Sequence, residues 1–247
     1  MKHIVIMGAT SGIGLGVAQV YARAGWRVGV AGRNREALEA LAREFPDNVV
    51  ARQIDVTSPE APLALLALIS DLGGMDIYLH ASGIYYSNPA LNVAHETAIA
   101  RTNVTGFTAL VDTAFRYFST RGERGLLAAI TSVASTRGIG EMPAYSASKR
   151  YQTTYLDALE QLAVAHGFPI DFCDIRPGWT RTPLIDPTRS YPMSMSVDKV
   201  VAETVRALIR HRRLTFIDLR WRLLCALWRR LPRRLWPHIP YQTSREK

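Results

Sequence analysis

A glycine cluster set between a short apolar run and a helical stretch constrains this chain most. His3–Ala9 (HIVIMGA) reads as a buried strand and leads straight into Gly8-Ala9-Thr10-Ser11-Gly12-Ile13-Gly14. The glycines permit a tight turn and a close approach of backbone to a pyrophosphate. The helix that starts near Gly12 offers unpaired N–H groups and the positive end of its dipole. A glycine trio alone is a weak signal, since ordinary turns use glycine freely. A strand before it and a helix after it turn it into a dinucleotide-binding pattern.

The rest of the chain repeats that alternation. Arg27–Ala31, Val49–Ile54, Met75–His80, Gly125–Thr131 and Ile170–Ile175 read as strands, several apolar enough to be buried on both faces. Helices are expected to start near Gly12, Asn34, Pro59, His95 and Pro143. The pattern predicts an α/β fold, a Rossmann-type doubly wound parallel β-sheet flanked by helices, with ligands at the carboxyl ends of the strands. A chain of 247 residues with 48% hydrophobic and 21% charged content has enough apolar surface for a sizeable core. Its longest apolar run, Leu63 to Ile69, is too short to span a bilayer, and the N-terminus does not read as a signal peptide, so a cytoplasmic protein is expected. Cys173 and Cys225 are far apart and read as reduced, buried thiols, and the histidine spacing suggests no metal site.

The net charge of +9 is uneven: twelve Lys and Arg face two Asp and Glu from Arg206 onward, whereas the preceding residues hold eighteen and nineteen. Basicity therefore belongs to the tail, and a nucleic-acid partner is not expected. At the end of the second strand stands Gly32-Arg33 in place of the carboxylate that would bond the ribose of NAD. A guanidinium there fits the 2′-phosphate of NADP(H), or it is simply solvated at a helix start.

Tyr145-Ser146-Ala147-Ser148-Lys149 places a phenol and an ammonium on one helix face. The ammonium, with a positively charged nicotinamide, is expected to favour the phenolate and lower the Tyr145 pKa. Ser132, at the end of the fifth strand, has a hydroxyl suited to polarising a carbonyl. Asn103 lies in the preceding helix, where its amide is suited to holding a proton-relaying water.

These residues resemble the short-chain dehydrogenase/reductase family, in its classical, NADP-preferring form. The glycine spacing matches that family, and Asn103, Ser132, Tyr145 and Lys149 match its catalytic tetrad in type and order. The resemblance implies cofactor contacts at Gly8, Thr10, Ser11, Gly12, Ile13, Gly14, Arg33, Asp55, Val56, Tyr145 and Lys149. Asp55 fits either an adenine contact or a helix N-cap. His80-Ala81-Ser82-Gly83 stands where the family carries Asn-Asn-Ala-Gly, so Ala81, Ser82 and Gly83 are expected to pass the cofactor, while His80 reads as a satisfied strand-end histidine. Arg176-Pro177-Gly178-Trp179-Thr180-Arg181-Thr182 resembles the family's Pro-Gly-x-Val-x-Thr, which implies cofactor contacts at Pro177, Gly178, Thr180 and Thr182, with the backbone at 180 and the Thr182 hydroxyl holding the nicotinamide carboxamide.

The implied activity is NADP(H)-dependent interconversion of a ketone or aldehyde and its alcohol, with Tyr145 as acid/base. Two alternatives stay open: a 3-oxoacyl-thioester (acyl-carrier-protein) reductase and a non-catalytic NADP-binding sensor or scaffold. Tyr85, Met142, Trp179 and Met193 are candidate pocket walls, and with Pro183–Ser196 they point to a lipophilic substrate. The family implies pairing through the helices that carry Asn103 and Tyr145, as a dimer or tetramer. Phe107, Leu110, Val111, Ala114, Phe115 and Phe118 make a broader apolar stripe than one core-facing side requires.

The dinucleotide-binding domain is expected over residues 1–210, with a C-terminal extension over 211–247 packed on or beside it. The family's closing strand is expected to be missing there. In the extension Trp221, Leu224, Trp228, Leu231 and Leu235 form one apolar helical stripe flanked by arginines, and Pro232 is expected to kink or end the helix after Leu231, making two short segments. The stripe suits packing on the body, peripheral contact with the inner face of a membrane, or an acidic protein partner.

Overall fold

Alternate residues of a strand face opposite sides of a sheet, and in this chain both sides are apolar. The computed structural model describes residues 2–239 and the backbone of Arg245–Glu246. In it β1 (His3–Met7) sends Ile4 and Ile6 into one core and Val5 and Met7 into another. The same division holds along β2 (Arg27–Gly32), β4 (Ile77–His80), β5 (Gly125–Ile130) and β6 (Ile170–Arg176), while β3 (Val49–Gln53) lies at the sheet edge. Helices α1 (Gly12–Arg23), α2 (Arg35–Glu44), α7 (Val197–Ile209) and α8 (Leu219–Arg230) cover the first core. Helices α3 (Ala61–Leu72), α5 (Phe107–Arg121) and α6 (Pro143–His166) cover the second. Helix α4 (Val93–Ala100) runs through a π-helical turn, Arg101–Gly106, into α5.

The sheet order is β3-β2-β1-β4-β5-β6-β8, every pairing parallel, where β8 is Leu214–Phe216. The order reverses between β1 and β4, so the carboxyl ends of those strands open a crevice. A separate antiparallel pair joins β7 (Arg189–Ser190) to β9 (Arg245–Glu246).

The structure departs from two expectations. The closing strand is present: Leu214, Thr215 and Phe216 pair with Asp174, Ile175 and Arg176. Three residues with a threonine in the middle are too short a run for a two-residue period to register. The broad stripe of α5 is not a spare apolar face either. Phe107, Leu110, Val111, Ala114, Phe115 and Phe118 are all buried within the subunit's own core.

The basic tail packs on the body as far as Ile239, while residues 240–244 and 247 of the expected extension lie outside the described residues. Trp221, Cys225 and Trp228 are buried against the sheet, Leu224 and Leu231 are partly buried, and Leu235 is exposed. The helix ends at Arg230, before Pro232, as the missing proline N–H requires. Arg137 fastens that end: its Nε donates to the Trp228 carbonyl at 3.0 Å and its Nη2 to those of Arg229 and Leu231. A cation there also complements the negative end of the helix dipole. Trp236 adds a bond from Nε1 to the Gly138 carbonyl at 2.7 Å.

Candidate active site

A cavity of about 400 Å³ occupies the crevice at the carboxyl ends of the strands. Its glycine wall is sterically determined. Gly8 has φ +94°, and a Cβ there would lie 2.6 Å from the backbone nitrogen of Ser82. Only glycine lets the turn after β1 and the loop after β4 come this close. Ser11 precedes α1 with extended backbone and no side-chain cap, so the helix presents its first N–H groups to the cavity uncapped. Thr10, Ser11, Gly12, Ile13 and Gly14 line this end, together with Ala81, Ser82 and Gly83 from the loop after β4.

Arg33 and Asp55 lie at the far rim, with Val56 beside them. Arg33 is exposed, and its charge helps to hold the Asp55 carboxyl below its usual range. The larger cause is the hydrogen bond from the Thr57 backbone N–H to Asp55 Oδ1 at 2.9 Å. Asp55 also accepts from the Thr57 hydroxyl at 2.8 Å, so it closes a local turn. The residue that precedes α3 is Glu60, which removes the N-cap alternative for Asp55.

Ser132, Tyr145 and Lys149 converge at the inner end. The Ser132 hydroxyl oxygen accepts from the Ala134 N–H at 3.0 Å, which leaves its proton free to be donated. Burial pushes the Tyr145 phenol up to about 12, and the hydrogen bond with Ser132 pulls the other way. The Lys149 ammonium is not among the causes of this shift. Lys149 Nζ lies 5.8 Å from the Tyr145 ring centre and donates instead to the Ile130 carbonyl and to Gln152 Oε1, both at 3.0 Å. Burial also brings the Lys149 ammonium down to about 8, while Asp174 raises it.

Asn103 does not line the cavity. It stands behind Gly83, where its Oδ1 accepts from the Ile84 N–H and its Nδ2 donates to the Ile84 carbonyl, both at 2.9 Å. The amide therefore pins the loop after β4, where the sequence pointed to a role in holding water. The carbonyl of Asn103, set within the π-helical turn, accepts from Gln152 Nε2 at 2.9 Å. Gln152, fully buried, thus joins Lys149 to Asn103 directly. Sequence reasoning passed it over, although a polar residue three positions after Lys149 shares its helix face.

His80 is buried behind the site, hydrogen-bonded through Nδ1 to the Tyr78 hydroxyl at 3.0 Å. Desolvation drives its pKa down to about 3, so it is neutral. Pro177, Gly178, Thr180 and Thr182 line the cavity. A Cβ on Gly178 would meet Trp221 Nε1 at 2.1 Å, so the tail presses directly on this loop.

Of the expected pocket walls, Tyr85, Met142 and Trp179 line the cavity. Tyr85 packs edge-on against both Tyr145 (5.1 Å between ring centres) and Trp179 (5.6 Å). Met193 does not. It has φ +50° and packs into the first core, and its carbonyl accepts the Trp221 indole N–H. Its place in the wall is taken by Leu184, Ile185, Trp221 and Trp228. The two tryptophans lie in the stripe that the sequence displayed, but nothing local says that the stripe reaches this cavity.

The family model for short chain dehydrogenases matches residues 2–192. The chain belongs to the short-chain dehydrogenase family. It is thereby an oxidoreductase, and a relative described as an uncharacterised oxidoreductase, from Myxococcus xanthus (strain DK1622), agrees. That protein is 33% identical over 198 residues, which cover 78% of this chain and 77% of the relative. A short chain dehydrogenase/reductase from Burkholderia phymatum, solved in complex with NAD, superposes with a TM-score of 0.81 at 17% identity, covering 92% of each chain. A 3-ketoacyl-(acyl-carrier-protein) reductase from Brucella melitensis, complexed with NADH, gives 0.76 at 20% identity, covering 88% of this chain and 96% of its own. At these identities the two structures share the fold.

Proposed function

We propose that this dehydrogenase uses NADP(H) to interconvert a lipophilic ketone or aldehyde and the corresponding alcohol. The observation that carries the reading is the convergence of Ser132, Tyr145 and Lys149 on the inner end of a cavity whose outer end has a glycine turn and an uncapped helix N-terminus. The structural neighbours described with NAD and NADH support a nicotinamide cofactor in a fold of this kind.

The residues present fit such a cofactor. The uncapped N–H groups of α1 suit the pyrophosphate, and Asp55 suits the adenine. Arg33 at the rim suits a 2′-phosphate, with no carboxylate at Gly32 to oppose it. Pro177 and Gly178 would pass the cofactor, and the Thr180 backbone and the Thr182 hydroxyl would hold the carboxamide. When bound, the nicotinamide supplies or accepts the hydride.

The chain's own groups manage the oxygen. Ser132 donates a hydrogen bond to the carbonyl oxygen and fixes its position. Tyr145 gives the proton to that oxygen in reduction and removes it in oxidation. With burial holding the phenol near 12, Tyr145 is protonated at neutral pH and ready to donate. Lys149 has three N–H donors, two of them committed to Ile130 and Gln152, and the third is left for a ribose hydroxyl. Gln152 bridges that ammonium to the carbonyl of Asn103, accepting from the one and donating to the other, while Asn103 fixes the loop at Ile84 that closes on the site. The walls of Tyr85, Met142, Trp179, Leu184 and Trp221 exclude water and favour an apolar substituent on the carbonyl.

We further propose that two copies pair through the helices carrying Asn103 and Tyr145. The resemblance to the family supports this, and the buried stripe of α5 does not. The test of cofactor choice is titration of NADPH and NADH into the wild type and Arg33→Ala. NADPH is expected to bind the wild type more tightly, with about tenfold or more lost in the variant and NADH little changed. Equal affinity for both cofactors in the wild type would remove Arg33 from the account.

A further inference from the structure

Helix α8 has two apolar faces, and only one of them is used by the fold. Successive helical residues turn by about 100°, so Trp221, Cys225 and Trp228 share the side that meets the sheet. Leu219, Leu223 and Leu227 share the opposite side, one turn apart. The first three are buried, whereas the leucines are 64%, 62% and 57% exposed. On the helical wheel Arg222 and Arg229 border the leucine ridge along one edge and Arg220 along the other, with Arg230 at its end. Arg233, Arg234 and the half-exposed Leu235 continue beyond the helix. From Leu219 to Ile239 there is no Asp or Glu at all.

We infer that this outer face docks on a membrane surface carrying anionic phospholipid headgroups. A ridge of three exposed leucines is an apolar strip that water disfavours; Arg222 and Arg229 add positive charge along one edge, while Arg220 on the other is paired with Asp218. Leucines enter the boundary between headgroups and acyl chains, while arginine stems lie beside them and the guanidinium groups pair with phosphate. The helix is already folded and fixed before any lipid arrives. Its inner face is buried, and Arg137 holds its carboxyl end.

A consequence rests on the lipophilic-substrate reading given above. The inner face of the same helix lines the cavity through Trp221 and Trp228. Docking therefore sets the cavity about one helix diameter, roughly 10 Å, from the layer in which a lipophilic carbonyl concentrates. The docking itself does not depend on that reading, and its test uses no turnover.

The experiment is flotation of the full chain with vesicles of phosphatidylcholine alone and of phosphatidylcholine with roughly 30 mol% phosphatidylserine. Binding is expected to the anionic vesicles, weakened when salt is raised to about 0.5 M, and slight to the neutral ones. Leu223→Glu and Leu227→Glu should each weaken binding by about tenfold or more. Arg222→Gln should weaken it by a smaller factor, and the melting temperatures of all three should stay at the wild-type value. Equal binding to both vesicle types, or undiminished binding by both leucine variants, would overturn the inference. So would dissociation of an oligomer by Leu223→Glu in sedimentation, which would make the ridge a contact between copies of the chain.

Discussion

Replacing Gly178 by alanine separates a tail that merely covers the body from one that forms part of the site. An ideal Cβ at Gly178 would lie 2.1 Å from Trp221 Nε1 and 2.2 Å from Cε2. Ordinary contact needs about 3.5 Å, so the indole must retreat by over ~1 Å. It has little room to do so, because Trp221 is 1% exposed and its N–H is held by the Met193 carbonyl at 3.3 Å. Overpacking of this kind costs about 1–3 kcal/mol, and loss of the indole hydrogen bond adds about 1 kcal/mol. At about 2–4 °C per kcal/mol for a chain of this size, Gly178→Ala should lower Tm by roughly 4–16 °C. Trp221→Leu alone opens a void and should cost about 2–4 kcal/mol. In the double variant the new methyl occupies part of that void, so the two losses should fall short of their sum by about 1–3 kcal/mol. Urea and thermal unfolding of the four proteins, followed by far-ultraviolet circular dichroism, measures the coupling. A Gly178→Ala protein as stable as the wild type, or losses that add within about 0.5 kcal/mol, would refute the close approach.

Gln152→Leu keeps the bulk of the side chain but leaves the Asn103 carbonyl unpaired and Lys149 with one acceptor fewer, so stability should fall by about 1–3 kcal/mol. Because the lost bond favoured the ammonium, the Lys149 pKa should drop and the alkaline limb of the pH–rate profile should move to lower pH; an unmoved profile would make Gln152 a purely structural residue. Asp218 caps α8 at the Arg220 N–H and pairs with Lys199 (2.7 Å) and Arg220 (2.8 Å), and these bonds, led by that with Arg220, hold its carboxyl well below the usual range. A depressed carboxylate stabilises the fold above its unfolded pKa, about 3.9, and loses that contribution as pH falls further. Asp218→Asn should therefore lower Tm at pH 7 and match the wild type progressively below about pH 4; a difference that persists undiminished at low pH would discount the ion pairs.

The sheet and the glycine-lined end of the cavity were legible because each rests on local pattern. Apolar runs with turn residues between them mark β1 to β6, and the glycines beside Ser11 mark a turn where backbone meets backbone. Tyr145, Lys149 and Ser132 were equally legible, since helix spacing and a strand end place them. What was hidden depends on distant partners. β8 is three residues long and acquires meaning only beside β6. Met193 was read as a pocket wall, but a left-handed backbone turns it into the core while Trp221, from the tail, takes the wall. That Gln152 also ties Lys149 to Asn103 was hidden, because the π-helical turn aims the Asn103 carbonyl at it, a geometry that no sequence period encodes. The unused apolar face of α8 was also hidden. Its leucines and its tryptophans are both helically spaced, and only burial tells them apart.

The central claim is that Tyr145 handles the proton on a carbonyl oxygen during nicotinamide-dependent reduction. Its most direct test is the oxidation of NADPH, followed by absorbance, with a panel of aliphatic and aromatic ketones and aldehydes and a 3-oxoacyl thioester, for the wild type and Tyr145→Phe. The wild type should turn over the lipophilic ketones or aldehydes. The variant should bind NADPH as tightly and unfold at a similar temperature, yet lose roughly 100-fold or more in turnover, the scale of an acid–base contribution. Near-normal turnover by Tyr145→Phe on a carbonyl that the wild type reduces would contradict the account.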